Sequence, residues 1–162
     1  FLLFFENFFH NDIIVNYANH LPVPHPTFMH PDMAVGYWRA DNINKHIMVA
    51  SVYLDGLVKP PEGKVIPDFL QKLVEYCKKK KRELILLADL NAHSPMWGEL
   101  DTNPRGEVVE KLLMDFNLQA LNVGSVPHVY TYYRDKDNIK TMPDATICSA
   151  SMAHMVDGWR VT

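Results

Sequence analysis

The chain has 162 residues, 48% hydrophobic and 22% charged, with a net charge of −3, the balance of an ordinary globular domain able to bury a core. It is no polycation, so any hold on nucleic acid must come from a local patch. No apolar run approaches the ~20 residues that span a bilayer, and Phe1-Leu2-Leu3-Phe4-Phe5, cut by Glu6 and without a basic flank, is a poor signal peptide.

The absence of an initial Met marks the chain as an expected processed or truncated product. Ile13 to Tyr17 reads as a short strand. Pro22, Pro24, Pro26 and Pro31 then forbid a helix and predict an extended connector. His20, His25 and His30 recur every five residues, which fits neither helical nor finger-type zinc spacing. Met33–Tyr37 and His46–Tyr53 predict two strands joined by a polar turn, Arg39-Ala40-Asp41-Asn42. Leu57 to Gly63, with Pro60-Pro61, predicts a loop.

Ile66, Phe69, Leu70, Leu73, Val74 and Cys77 fall on one helical stripe. Lys78 to Arg82 follow at its C-terminal end, where positive charge suits the helix dipole. That run is a solvated helix end or a contact to a DNA backbone. The apolar strand Glu83–Ala88 ends at Asp89, and Asn91, His93 and Ser94 crowd into a turn closed by Pro95, Trp97 and Gly98. A second helix is predicted from Pro104 to Asn117, capped by Asn103, with Val109, Leu112, Leu113 and Phe116 as its stripe. Short strands are predicted at Leu118–Leu121, Val129–Tyr133 and Ala145–Cys148. The whole is a mixed α/β layered domain. Cys77 and Cys148 are expected to be buried reduced thiols in an intracellular compartment.

Polar groups past the end of a buried strand are where α/β proteins place their chemistry. On an extended backbone Asp89 and Asn91 point to one face and can converge on one phosphate or water. Asp and Asn are also ordinary turn residues, and residue type leaves both readings open. No phosphate-cradling glycine loop, G-x-S-x-G elbow or H-E-x-x-H occurs, which argues against nucleotide-driven ATPases, serine hydrolases and common zinc proteases.

Residues 88–98, ADLNAHSPMWG, resemble the GDFNAHSPLWG signature of the endonuclease/exonuclease/phosphatase superfamily, in the form found in endonuclease domains of non-LTR retrotransposons. Further pieces agree in order. Val49-Ala50-Ser51-Val52-Tyr53 resembles the strand that carries an active-site tyrosine. Asn103-Pro104-Arg105-Gly106, followed by Leu118 to Asn122, resembles TNxRGxxLExLLxxxxLxxLN. Tyr130-Thr131-Tyr132 resembles the PTY segment, with Val129 in place of proline. Pro143 to Ser149 resembles SPDVTLCS, and Trp159-Arg160-Val161 the late W.V strand.

The resemblance covers roughly residues 32 to 162 and implies a two-sheet α/β sandwich with outer helices (DNase I-like). It implies one partial domain, 1–162, incomplete at both termini. A first strand ending in a catalytic Asn and a terminal Asp-His pair have no counterpart here. The implied activity is metal-dependent DNA endonuclease action, nicking for target-primed reverse transcription with Mg²⁺ or Mn²⁺, impaired in this fragment. The implied catalytic residues are Asp89 on the attacking water, Asn91 on a phosphate oxygen, Tyr53 as a hydrogen-bond donor and Asp144 as the orienter of a histidine. Glu6 is the candidate metal ligand. His93, Ser94 and Trp97 are candidate substrate contacts; Trp97 stacks on a base or packs the loop. The implied partners are DNA and a reverse transcriptase domain in the parent polyprotein, with no membrane and with nuclear action. A non-catalytic remnant, a nucleic-acid-binding module, and a phosphatase or exonuclease are the alternatives.

Overall fold

Prolines and strand-forming residues set the first edge of the sheet. The computed structural model describes residues 23–40, 45–55, 66–122 and 130–156. Strand β1 (Val23–Pro24) pairs antiparallel with β2 (Met33–Ala40). The connector expected to be extended contains one 3-10 turn, Pro26–Phe28, with His25 as its cap. Proline excludes a helix interior but suits a first helical position, so a single turn is compatible with it.

β2 forms a long antiparallel pair with β3 (Lys45–Tyr53), and both strands exceed the lengths predicted for them. Helix α1 (Asp68–Lys80) carries the chain over to β4 (Glu83–Asp89), which lies parallel to β3. Helix α2 (Pro104–Asp115) leads to the short β5 (Leu118–Ala120). A two-stranded hairpin, β6 (Tyr132–Arg134) and β7 (Ile139–Thr141), precedes β8 (Asp144–Ser149). The main sheet has the order β1-β2-β3-β4-β8-β5. It is a mixed sheet with helices and a second small sheet, the DNase I-like arrangement expected from the sequence.

Strand alternation divides the core in two. Met48, Ala50, Val52, Leu84, Leu86, Ala88, Ala145 and Ile147 face one side, where they pack with Leu70, Leu73, Val74 and Cys77 of α1 and Val109, Leu112 and Leu113 of α2. Ile47, Val49, Ile85, Leu87 and Cys148 face the other, against Met152 of a closing 3-10 turn, Ala150–Met155. Both α-helices therefore cover a single sheet face. Of the stripes predicted for them, Leu70, Leu73, Val74, Cys77, Val109, Leu112 and Leu113 become buried, Phe69 is partly buried, and Ile66 and Phe116 are partly buried just outside the helices. Cys77 and Cys148 are unpaired and buried, and burial pushes their thiols up to about 12 and about 11.

The hairpin departs from expectation. The strand predicted at Val129–Tyr133 lies at Tyr132–Arg134 and pairs with an unpredicted partner. Thr131 sits outside the strand, and its hydroxyl accepts from the Asp144 N–H at 3.4 Å. Asn138 turns the chain in the left-handed region at φ 53°, and Arg134 pairs with Asp137 at 2.7 Å. The charged residues 134–140 carry no apolar alternation that could have announced a strand.

The Ile13–Tyr17 strand, Glu6, His20, the Asp41-Asn42 turn, the Leu57–Gly63 loop, Val129 and Trp159 to Val161 lie outside the described residues. No helix among the described residues is long and apolar enough to cross a membrane.

Candidate active site

Strand register gathers three of the four predicted catalytic residues. Tyr53 ends β3 opposite Asp89, which ends β4, and Asp89 lies opposite Asp144, which begins β8. Residues in register share a face, with Cβ atoms about 5 Å apart in an antiparallel pair. All three project from the sheet face opposite the helices, at one end of the sheet. Tyr53 is 41% exposed, so the cluster opens to solvent.

Asn91 arrives by another route than the one its spacing predicts. Its φ of 45° places it in the left-handed region rather than on an extended backbone. Asparagine tolerates that conformation better than most residues. The turn brings the Asn91 N–H to Asp89 Oδ1 at 3.3 Å and the Asn91 side-chain amide to the Leu54 carbonyl at 3.0 Å. The Leu54 N–H in turn donates to the Asp89 carbonyl at 2.9 Å, and the Leu90 N–H to the Pro143 carbonyl at 2.8 Å. The segments that leave β3 and β4 and the one that enters β8 are thus tied by their backbones.

The electrostatics follow from this crowding. Burial, then the neighbouring Asp144, pushes the Asp89 carboxyl up to about 6, against the opposing pull of the Asn91 N–H and Arg105. Burial raises Asp144 too, moderated by a hydrogen bond from Thr131. Tyr53 is raised by burial and then by Asp55, Asp89 and Asp32, with Arg105 acting the other way. The phenol therefore keeps its proton at neutral pH, and Asp89 titrates close to it.

His93, Ser94 and Trp97 have structural partners. The His93 N–H donates to Asn103 Oδ1 at 3.2 Å, and its carbonyl accepts from the Asn103 N–H at 3.1 Å. Ser94 is fully buried; its hydroxyl bonds Glu110 and accepts from the Met96 N–H. Trp97 is also fully buried, and its indole N–H donates to the Ala92 carbonyl at 3.2 Å. As candidate substrate contacts Ser94 and Trp97 are corrected. Neither reaches the surface, and Trp97 packs the loop. Glu6, the candidate metal ligand, lies outside the described residues.

With this geometry in place, the relatives can be compared. A family model described as endonuclease-reverse transcriptase matches residues 47–161. The chain belongs to that family. Among solved structures it is similar to the endonuclease domain of TRAS1, a telomere-specific non-LTR retrotransposon. The TM-score is 0.70 at 25% identity, over 94% of this chain and 70% of that one. Two proteins of Bacteroides thetaiotaomicron share the fold. One is a mannosyl-6-phosphatase, with TM-score 0.50 and 13% identity over 74% of this chain and 43% of that one. The other is an endonuclease/exonuclease/phosphatase family protein, with TM-score 0.51 and 14% identity over 74% of this chain and 42% of that one. A search of curated proteins by sequence finds no match.

Three residues of the site carry no signal that sequence reasoning used. Arg105 donates to the carbonyls of Leu54 at 3.3 Å and Asp55 at 2.9 Å, which sets a positive charge beside Asp89 and Tyr53. Glu110 anchors the loop through Ser94 and through Thr102 Oγ1 at 3.2 Å. Asn122, only 2% exposed, bridges the start of β8: its amide donates to the Asp144 carbonyl and accepts from the Thr146 N–H, both at 2.8 Å. Arg105 and Asn122 stand inside the matched motifs, and that placement was the available clue. Replacing Asn122 by alanine removes both bonds inside the protein. The expected loss is about 1–3 kcal/mol, read as a lower midpoint in urea denaturation; an unchanged midpoint would mean that other groups replace the amide.

Proposed function

We propose that this chain is a metal-assisted DNA endonuclease, hydrolysing one phosphodiester bond to leave a nick that primes reverse transcription by a longer protein with a reverse transcriptase domain. The observation that carries this reading is the convergence of Tyr53, Asp89, Asn91 and Asp144 at one open end of the sheet. Family membership and the similarity to a retrotransposon endonuclease domain support it. Action on chromosomal DNA makes the nucleus the proposed place of work, and residues 1–162 are proposed to be a single partial domain of that kind.

The donors suit Mg²⁺, or Mn²⁺ in its place. Asp89 and Asp144 are adjacent carboxylates, and Mg²⁺ commonly takes one or two carboxylates from a protein, leaving its other positions to water and substrate phosphate. No group of three His, Cys, Asp or Glu side chains able to hold a metal occurs among the described residues. Glu6 is the proposed further ligand. When bound, the ion supplies positive charge against the phosphate.

Asp89 orients the attacking water and accepts its proton. Tyr53, held protonated by burial and its acidic neighbours, donates to a phosphate oxygen. One Asn91 amide hydrogen is spent on Leu54, and the other meets a phosphate oxygen without adding negative charge. Asp144 keeps a second carboxylate beside Asp89, steadied by Thr131.

The test is the conversion of supercoiled plasmid to nicked circles at high protein concentration with Mg²⁺ or Mn²⁺. Asp89→Ala is expected to lower the rate by at least about 100-fold, the usual scale for losing a general base. Nicking that survives in Asp89→Ala, or that continues in excess chelator, would overturn the assignment.

A further inference from the structure

We infer that Arg105 is a positioning residue for the side-chain amide of Asn91, acting through the backbone carbonyl of Leu54. Its catalytic consequence rests on the endonuclease reading; its geometry does not.

Arg105 stands where local physics disfavours it. It is the second residue of α2 (Pro104–Asp115). A cation in the first turn opposes the helix dipole, at a place where an anion would be stabilised by about 0.3–1 kcal/mol. A local choice that works against its own element points to a contact made elsewhere. That contact is the exit of β3, 50 residues away in the chain. Nη2 donates to the Asp55 carbonyl at 2.9 Å and Nη1 to the Leu54 carbonyl at 3.3 Å. Two nitrogens of one planar group on two successive carbonyls fix both the place and the tilt of that segment. The helix end that carries Arg105 is itself anchored. Asn103 Oδ1 accepts from the Gly106 N–H at 2.7 Å and from the His93 N–H at 3.2 Å.

The Leu54 carbonyl is the meeting point. It accepts from Arg105 and also from the Asn91 side-chain amide at 3.0 Å, so each of its two lone pairs has a protein donor. A carbonyl only accepts, so Asn91 must turn its NH2 end toward it, which fixes where the second amide hydrogen and the amide oxygen point. Without the clamp, water can take the vacated lone pair, the carbonyl can swing, and the amide can turn over. The same segment reaches two other members of the cluster. Tyr53 precedes Leu54 in the chain, and the Leu54 N–H donates to the Asp89 carbonyl at 2.9 Å. Charge alone would not need a fork. A lysine brings the same charge, but one ammonium on a flexible stem does not reproduce a planar group held on two acceptors.

Arg105→Lys therefore separates position from charge. In the plasmid assay its kcat is expected to fall at least about tenfold with KM changed by less than about twofold, since a misplaced group costs the transition state more than binding. In an Asn91→Ala background the same substitution is expected to cost less than about twofold, because the group it positions is gone. NMR of the whole chain in excess chelator gives a readout that needs no activity. The Asn91 side-chain amide resonances are expected to shift in Arg105→Lys, while the Trp97 indole N–H, bonded to the Ala92 carbonyl, stays in place and reports an intact loop. A parent chain that does not nick would defeat the endonuclease reading and leave the NMR comparison to decide the positioning. Should Arg105→Lys fail to fold, the parent chain decides: the Arg105 Nη hydrogens are expected to exchange with solvent at least about tenfold slower than those of free arginine, as hydrogen-bonded groups do, and exchange at the free rate overturns the positioning. It is overturned equally if folded Arg105→Lys nicks as well as the parent, if its cost is undiminished beside Asn91→Ala, or if the Asn91 amide resonances do not move.

Discussion

Asp89→Asn is expected to make the protein more stable near pH 8 while abolishing the nicking of DNA proposed for it. The folded chain raises the Asp89 carboxyl to about 6, by burial first and by Asp144 second, whereas an unfolded chain ionises it near 3.9. Between these values the folded state holds a proton that the unfolded state has released. The protonated carboxyl is therefore well tolerated below about pH 4, and ionisation works against folding as pH rises through about 6. Asparagine has nearly the same shape and no charge, so it removes the penalty only where the penalty exists. A displacement of about two units corresponds to about 3 kcal/mol. Asp89 is only part-buried, and solvent screening brings the expected gain to about 1–2 kcal/mol near pH 8. Near pH 4.5 the gain should shrink by more than half. Urea midpoints at the two pH values, in excess chelator so that no bound ion offsets the charge, measure it. A variant that is less stable near pH 8, or equally shifted at both pH values, would show that Asp89 is held by favourable contacts instead of being strained by its surroundings. The pairing of gained stability with lost activity is characteristic of a group placed for chemistry.

The parts of the fold legible in the sequence were those with a local period. The stripe from Leu70 to Cys77 is buried along α1, the run Glu83–Ala88 is the central strand, and Asn103-Pro104 opens α2 with the asparagine as cap. The site was legible in a different way. Nothing local says that Tyr53, Asp89 and Asp144 meet, since 36 and 55 residues separate them from one another in the chain. Their convergence was carried by a family resemblance and is realised by strand register.

Where local reasoning was applied to the site it failed instructively. The two-residue spacing of Asp89 and Asn91 implied one face of an extended strand, but the strand ends at Asp89 and Asn91 turns left-handed. The supports around the site were illegible for the same reason. Ser94 to Glu110, Arg105 to Leu54 and Asn122 to Asp144 are contacts between segments that only the completed fold brings together. The β7 strand had neither a period nor a motif. Its charged residues are held by pairing with β6 and by the Asn138 turn, and such partners are invisible in a single segment.

Those supports make Gly106→Ala the most damaging small substitution that the structure predicts. A glycine in a helix ordinarily costs about 0.5–1 kcal/mol relative to alanine, so the exchange would usually be stabilising. Here a Cβ on Gly106 would lie 1.8 Å from the His93 carbonyl oxygen and 2.9 Å from its carbon. Both are backbone atoms, and the same carbonyl already accepts from the Asn103 N–H, so the loop has little room to yield. The start of α2 must then move away. That motion pulls on the Gly106 N–H held by Asn103 Oδ1 at 2.7 Å and on the second bond from that oxygen to the His93 N–H. It also draws Arg105 off the Leu54 and Asp55 carbonyls. Overpacking costs about 1–3 kcal/mol and occasionally more, and a lost cap adds about 1 kcal/mol. The expected loss is about 3 kcal/mol or greater, with the proposed nicking reduced even under conditions where the variant stays folded. Glu107→Ala, at the exposed next position, serves as the control and should shift stability by no more than about 0.5 kcal/mol. An unchanged urea midpoint for Gly106→Ala would mean that the loop and α2 are not locked together. Arg105 would then be free to shift without cost, and the positive charge it sets beside Asp89 would be incidental to the site.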